Sequence, residues 1–309
     1  MTTTPAGARS PGSAAPGGPA DTGAVIEVGE LSYSYPKATE PAVRDMSFAI
    51  RAGEIFGFLG PSGAGKSTTQ KILIGLLTGA RGTVRVWERS PREWGKAYYE
   101  RIGVSFELPN HYQKLTAREN LEFFASLYKS DTEDPMELLR RVGLGDAADT
   151  RVSAFSKGMQ SRLTFVRALL NRPELVFLDE PTTGLDPRNA RTVKEMIADL
   201  RDQGRTVFLT THDMATAGEL CDRVAFVVDG EIPILDSPTE LKLARSKRTV
   251  RTEYRSENGG LEGAEFALDG LCDDPDFHTL LRTQRVESLH SQEANLNDVF
   301  VEVTGRSLV

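Results

Sequence analysis

The chain has 309 residues, 39% hydrophobic and 26% charged, an ordinary globular composition with length for about two domains. Its formal net charge of -7 argues against a nucleic-acid partner, because neutralising phosphate backbones takes an excess of cationic side chains. No stretch reaches the roughly 18–20 apolar residues that cross a bilayer, and the N-terminus lacks the apolar block of a secretory signal.

Residues 1–23 are rich in Pro, Gly, Ala and Ser, bury too little apolar surface to repay ordering, and are expected to form a disordered tail. Ala24–Tyr35 and Ala42–Ile50 alternate apolar and polar residues, which predicts antiparallel strands around a turn near Pro36. Glu54–Leu59 is a short apolar run between glycines, the pattern of a strand buried on both faces. After a glycine-rich turn, Ile72, Leu73, Leu76 and Leu77 form a helical stripe over Ser67–Leu77.

Ile102–Phe106 reads as another strand, and Thr116-Ala-Arg-Glu119 has the spacing of a capping box that opens a helix. Helical patterning continues to about Leu170. Strands return at Leu175–Leu178, Thr206–Thr210 and Arg223–Val228, with a helix over Arg188–Arg201 between the first two. This rhythm predicts an α/β fold, a mainly parallel sheet with helices on both faces, interrupted by a helical subdomain over about 107–171. From about Pro238 the sequence becomes more polar, with a turn at Gly259-Gly260 and a final helix opened by Asn295, as in a small α/β appendage. Cys221 and Cys272 are too few for a disulfide framework, and His111, His212, His278 and His290 lack metal-site spacing.

The chemistry concentrates in a few short motifs. Gly60-Pro61-Ser62-Gly63-Ala64-Gly65-Lys66-Ser67 fits the phosphate-binding pattern G-x-x-x-x-G-K-[ST] and lies between a predicted strand and a predicted helix, as that pattern requires. Its glycines let backbone N–H groups curl toward phosphates, and the helix that carries Thr68 adds its positive end. Lys66 is expected on the β- and γ-phosphates, and the Ser67 hydroxyl on Mg²⁺. Leu175-Val-Phe-Leu-Asp179-Glu180 is an apolar strand ending in two carboxylates. Asp179 suits Mg²⁺ or its waters, while Glu180, one residue further, suits a base acting on the water in line with the γ-phosphate. Together these two motifs specify a P-loop nucleotide hydrolase.

Phe155-Ser156-Lys157-Gly158-Met159-Gln160 resembles the signature sequence of ABC ATPases, in a Ser-Lys-Gly-Met variant common among drug-export types. Thr182-Thr-Gly-Leu-Asp186 resembles the family's D-loop and Thr211-His212-Asp213 its switch histidine. Tyr35 fits the aromatic position that stacks on adenine, with Tyr33 the other choice. In family order and over about Val25–Leu235, these motifs resemble ABC transporter ATP-binding proteins. The resemblance implies a RecA-like P-loop core with an antiparallel β subdomain, an ATPase domain over 24–237 and an accessory domain over 238–309. It also implies ATP and Mg²⁺ as cofactors and a composite site. In such a site Ser156 and Gly158 of one copy face the γ-phosphate held by Lys66 of another, Asp186 of the D-loop is among the nucleotide-binding residues, and His212 senses the γ-phosphate.

The family's usual glutamine after the Ile102–Phe106 strand is replaced here by Glu107, unless Gln113 fills that role; a carboxylate would still ligate Mg²⁺ but adds negative charge. Lys157 and Met159 also depart from the usual signature, and Lys157 receives no catalytic role. The implied partners are an integral membrane permease and a second ATPase subunit, with one motif set fitting a homodimer at the cytoplasmic face of the cell membrane. Tyr112, Leu115 and Phe124 are candidates for the permease contact or for packing within the helical subdomain. The ending Asn295-Leu-Asn-Asp-Val-Phe300 and the Phe106-Glu-Leu-Pro-Asn-His111 stretch resemble drug-export subunits, the nearest type being an exporter of antibiotics such as fluoroquinolones. An importer would more often keep the full signature and the glutamine. A soluble ABC ATPase acting on ribosomes or DNA would join two ATPase units or carry a long coiled coil.

Overall fold

The computed structural model describes residues 23–246, 249–256, 259–291 and 294–306. The expected disordered tail, apart from Gly23, lies outside the described residues.

A six-stranded sheet forms the centre, in the order β5-β6-β7-β3-β8-β9. It comprises β3 (Ile55–Leu59), β5 (Ile102–Ser105), β6 (Leu175–Asp179), β7 (Thr206–Thr211), β8 (Arg223–Val228) and β9 (Glu231–Asp236). All neighbours pair in parallel except β9, which returns antiparallel along β8. Every residue of β3, β6 and β7 is buried, which is why each carries an unbroken apolar run (Ile55–Leu59, Leu175–Leu178, Val207–Leu209) instead of alternating with polar residues.

Alternation is still present, as a division of residue types between the two faces. Ile55, Leu59, Val176, Leu178, Val207 and Leu209 face a helical layer. Phe56, Phe58, Phe177 and Phe208 face the opposite way and meet an antiparallel sheet. That second sheet has the order β2-β1-β4, from β1 (Ala24–Tyr33), β2 (Val43–Arg51) and β4 (Arg81–Val86). Phe48 of β2 lies 5.7 Å from Phe56 and 5.4 Å from Phe58, ring centre to ring centre, so aromatic volume fills the gap between the sheets.

The helix after β3, α1 (Lys66–Leu73), is shorter than the apolar stripe suggests. Gly75 takes a left-handed φ of 79° that a helix cannot continue through, and Leu76 emerges 55% exposed. Two short helices, α2 (Pro91–Trp94) and α3 (Lys96–Arg101), lead into β5. The helical layer follows, with α4 (Ala117–Ala125), α5 (Pro135–Arg141) and α6 (Lys157–Arg167). The Thr116–Glu119 capping box forms reciprocally: Glu119 N donates to Thr116 Oγ1 at 3.1 Å and Thr116 N to Glu119 Oε2 at 2.8 Å.

Beyond β6, α7 (Pro187–Asp202) and α8 (Met214–Leu220) cover the sheet on the side of the helical layer, and α9 (Pro238–Leu243) follows β9. A separate three-stranded sheet, β11-β10-β12, is built from β10 (Thr249–Arg255), β11 (Leu261–Ala267) and β12 (Arg285–Ser291). Helix α10 (Pro275–Thr283) packs on it through Phe277 against Phe266. The last helix, α11 (Leu296–Thr304), is opened by Asn295 as expected, but its buried residues go elsewhere. Leu296, Val299 and Phe300 join the central core with Leu241, and Phe300 lies edge-on to Phe226 of β8.

Candidate active site

In a parallel sheet, the loops leaving the carboxyl ends of neighbouring strands share one edge. Here β6, β7 and β3 are adjacent and β5 flanks them, so the segments after all four converge. They enclose a cavity of about 260 Å³ lined by Ser62, Gly63, Gly65, Lys66, Ser67, Thr68, Glu107, Asp179, Glu180 and His212.

The phosphate loop depends on its glycines for space. A Cβ on Gly60 would sit 2.1 Å from the Val227 carbonyl oxygen, and one on Gly65 would meet the Ala42 carbonyl at 2.5 Å. Gly65 also caps α1 with a left-handed φ of 107°, which turns the chain into the helix and aims its first N–H groups at the cavity. Gly60, Pro61 and Ala64 do not line the cavity. Gly60 and Pro61 present their carbonyls to Lys66 Nζ at 2.5 and 3.0 Å, and Ala64 is buried beneath the loop. Burial pushes the Lys66 ammonium below its usual pKa, while the negative charges of Glu180, Asp179 and Glu107 act in the opposite sense.

Asp179 is buried at the end of β6. One of its oxygens accepts from the Thr210 hydroxyl and the other from Ser67 Oγ at 3.3 Å, which brings two of the three expected metal ligands together. Glu180 follows with its Oε1 2.7 Å from His212 Nδ1. Its Oε2 accepts from Thr183 Oγ1 at 3.0 Å and Thr211 Oγ1 at 3.1 Å. Thr183 and Thr211 lie within the Thr182–Asp186 and Thr211–Asp213 motifs, but nothing in those motifs assigns their hydroxyls a role, and Thr210 lies outside both. Glu107 lines the cavity and Gln113 does not; the Gln113 side chain turns back to the His111 carbonyl at 3.5 Å. Tyr35 lies at the rim, 39% exposed, with its hydroxyl 3.1 Å from Thr68 Oγ1, while Tyr33 is buried edge-on behind it.

Ser156, Gly158 and Asp186 form a second locus, and none of them lines the cavity. Ser156 is the exposed N-cap of α6, accepting from Met159 N at 3.3 Å, and Asp186 is the exposed N-cap of α7, accepting from Asn189 N at 3.1 Å. Gly158 packs against the loop that leads to Asp186: a Cβ on it would lie 3.6 Å from Leu185.

A parallel sheet with a glycine loop, lysine, paired carboxylates and histidine at its carboxyl edge defines a P-loop nucleotide hydrolase. Family comparison narrows the class. The ABC transporter family matches residues 43–183, and the fluoroquinolone efflux ABC transporter C-terminal domain matches residues 248–293. The chain is 69% identical over 284 residues, 92% of its length, to the fluoroquinolones export ATP-binding protein of Mycobacterium tuberculosis (strain CDC 1551 / Oshkosh), covering 94% of that protein. Among solved structures, an ATP-binding subunit of an ABC transporter aligns with TM-score 0.65 at 29% identity, covering 71% of this chain and 92% of that one. A dimeric ATP-binding cassette in a post-hydrolysis state, bound to ADP and Pi, aligns with TM-score 0.64 at 26% identity, covering 69% and 98%. The chain belongs to the ABC transporter ATP-binding proteins, in the fluoroquinolone-export type. It is an ATP-binding cassette whose hydrolysis of ATP drives transport.

Proposed function

We propose that this chain powers the export of fluoroquinolone antibiotics through a separate membrane permease, acting at the cytoplasmic membrane face as a head-to-tail pair of identical subunits. The observation that carries the pairing is the separation of two half-sites. The cavity around Lys66 holds the groups for binding and cleaving a triphosphate, while Ser156 stands exposed and Gly158 half-buried outside it. A serine-capped helix start is an anion-binding element, so a nucleotide in one copy's cavity can be completed by the Ser156 loop of the other. The cargo follows from the relatives that the chain resembles along nearly its whole length. No helix among the described residues is long and apolar enough to cross a membrane, so a permease must supply the path.

Residues 24–237 act as the ATPase unit and 238–309 as an accessory unit anchored to it by α11. A cavity of about 270 Å³, lined in part by Tyr99, Phe106, Asn110, Phe124 and Arg167, suits a permease segment. Tyr112 stands exposed near its edge, packed on Phe124, whereas Leu115 and Phe124 are half-buried.

The oxygen donors at Ser67 and Asp179, with Glu107 across the cavity, fit Mg²⁺, a hard cation that takes few protein ligands beside phosphate oxygens and water. Held by Ser67 and Asp179, with Glu107 nearby, Mg²⁺ would supply positive charge to neutralise the phosphates. Lys66 leaves the Gly60 and Pro61 carbonyls for the phosphates. Glu180 takes the proton of the attacking water, and His212, with Nδ1 on Glu180, offers Nε2 to the γ-phosphate.

The decisive experiment is Glu180→Gln. Loss of a general base lowers turnover by about 10² to 10⁴. ATP binding should persist and an ATP-dependent dimer should accumulate on size-exclusion chromatography. Near-normal hydrolysis would overturn the assignment. Vesicles carrying the chain and its permease should accumulate a fluoroquinolone only with ATP, and uptake that ignores ATP would remove the export role.

A further inference from the structure

Glu180 is held in a shape that its own backbone resists. Its φ of 50° lies in the left-handed region that a residue with a Cβ rarely adopts. Main-chain hydrogen bonds maintain the kink: Glu180 N donates to Thr210 O at 3.0 Å, and Thr183 N donates to Glu180 O at 3.2 Å. The side chain is secured separately, by groups from two different elements. Thr183 comes from the loop after β6 and Thr211 from the end of β7, and both hydroxyls donate to Oε2.

The ionised carboxylate can only accept, so both hydroxyls give it their single proton, and the Thr211 oxygen in turn accepts from Asp213 N at 3.0 Å. A carboxylate oxygen has two lone-pair positions in its plane. Oε2, with two donors, has both occupied, whereas Oε1 has one, shared with His212.

We propose that Thr183 and Thr211 are positioning residues that clamp Oε2 of Glu180 and thereby leave Oε1 as the oxygen that receives the proton of the lytic water. The inference rests on Glu180 being the base. In the step served, the water oxygen bonds to the γ-phosphorus, the bond to the bridging oxygen breaks toward ADP, and the water proton passes to Oε1. Without the clamp the carboxylate can rotate about its last bond, and the fraction aligned with the water falls.

Steady-state ATPase kinetics of the full chain, as Thr183→Val, Thr183→Ser and Thr211→Val, test this. Removing a hydrogen bond to a charged group is expected to lower kcat about tenfold in each valine variant. The KM for ATP should stay within about twofold, because neither hydroxyl lines the nucleotide cavity. Thr183→Ser, which keeps the hydroxyl and loses the methyl, should recover most of kcat; a packing defect would not be rescued in this way. Glu180→Gln combined with Thr183→Val should be no slower than Glu180→Gln alone. Unchanged kcat in Thr183→Val, a raised KM with normal kcat, or no recovery in Thr183→Ser would each overturn the clamp. Should Glu180→Gln itself hydrolyse ATP normally, the base assignment fails first. If it is inactive while Thr183→Val is normal, only the clamp fails.

Discussion

The phosphate cavity and the face carrying Ser156 differ in how completely each is finished within one chain. At the cavity, Lys66 and Asp179 are buried and Glu180 nearly so; Lys66 is held by carbonyls of its own loop, and Asp179 and Glu180 have hydrogen-bond partners from several elements. At the other face, Ser156, Lys157 and Asp186 are exposed, and the hydrogen bonds of Ser156 and Asp186 stay within the first turns of their own helices. Preorganised dipoles are where electrostatic catalysis is built, because they need no reorganisation as charge develops. A surface that only caps helices has no such commitment and remains open for a ligand to complete. The difference teaches that the groups for cleaving a triphosphate are assembled within one subunit, whereas the Ser156 face is left to be completed from outside, which is what the proposed pairing uses.

That contrast can be broken by experiment. Glu180→Gln, at the cavity, should give the largest loss of turnover, as set out above. Ser156→Arg, on the other face, should cut turnover roughly a hundredfold by placing bulk and charge against the second copy's nucleotide, an effect typical of a misplaced reacting geometry. Its ATP affinity, measured by equilibrium binding on the isolated subunit, should remain normal; a large loss of affinity would put Ser156 inside the subunit's own site. Lys66→Ala should behave oppositely, weakening ATP binding itself by about 10- to 100-fold, the scale of a charge-assisted contact. The tenfold effect expected for Thr183→Val is smaller again.

The smallest effect concerns the link between the two regions. His111 is buried between the Glu107 loop and α6, with Nε2 2.9 Å from Thr164 Oγ1 and Nδ1 facing Arg167 Nη1 at 3.4 Å. Burial first, and the Arg167 charge second, lower its pKa to about 4, against a weaker opposing contribution from the Gln160 carbonyl. The unfolded chain therefore binds a proton between about pH 6.5 and pH 4 that the folded chain does not. Stability from this group is present above pH 6.5 and is lost as pH falls through that window, by about 2 kcal/mol between pH 7 and pH 5. Urea unfolding at the two pH values should show that loss, and a flatter response in His111→Gln. An equal response in both would remove His111 as the source.

Much of the site was legible because its motifs are local. A glycine loop between strand and helix, or two carboxylates closing an apolar strand, requires only a few consecutive residues, and their meaning does not depend on distant partners. The same holds for the Thr116–Glu119 capping box, whose partners are three residues apart. Strands β4 and β9 were not anticipated. The Arg81–Val86 segment is mostly exposed and carries little apolar pattern, so only its pairing with β1 defines it as a strand. Helix α1 was overestimated because Leu76 and Leu77 keep the helical period after Gly75 has ended the helix.

The sequence by itself determined the chemistry available: which residues can hold phosphate, ligate a cation and accept a proton. Only the tertiary structure decided their company. It set Glu107 rather than Gln113 at the cavity, brought Thr183 and Thr211 to one oxygen of Glu180, and returned Phe300 to the central core across more than fifty residues from α9. Periodicity and spacing report what a residue does within its own turn or strand, whereas a contact between distant elements depends on strand order and sheet packing, which no single segment encodes.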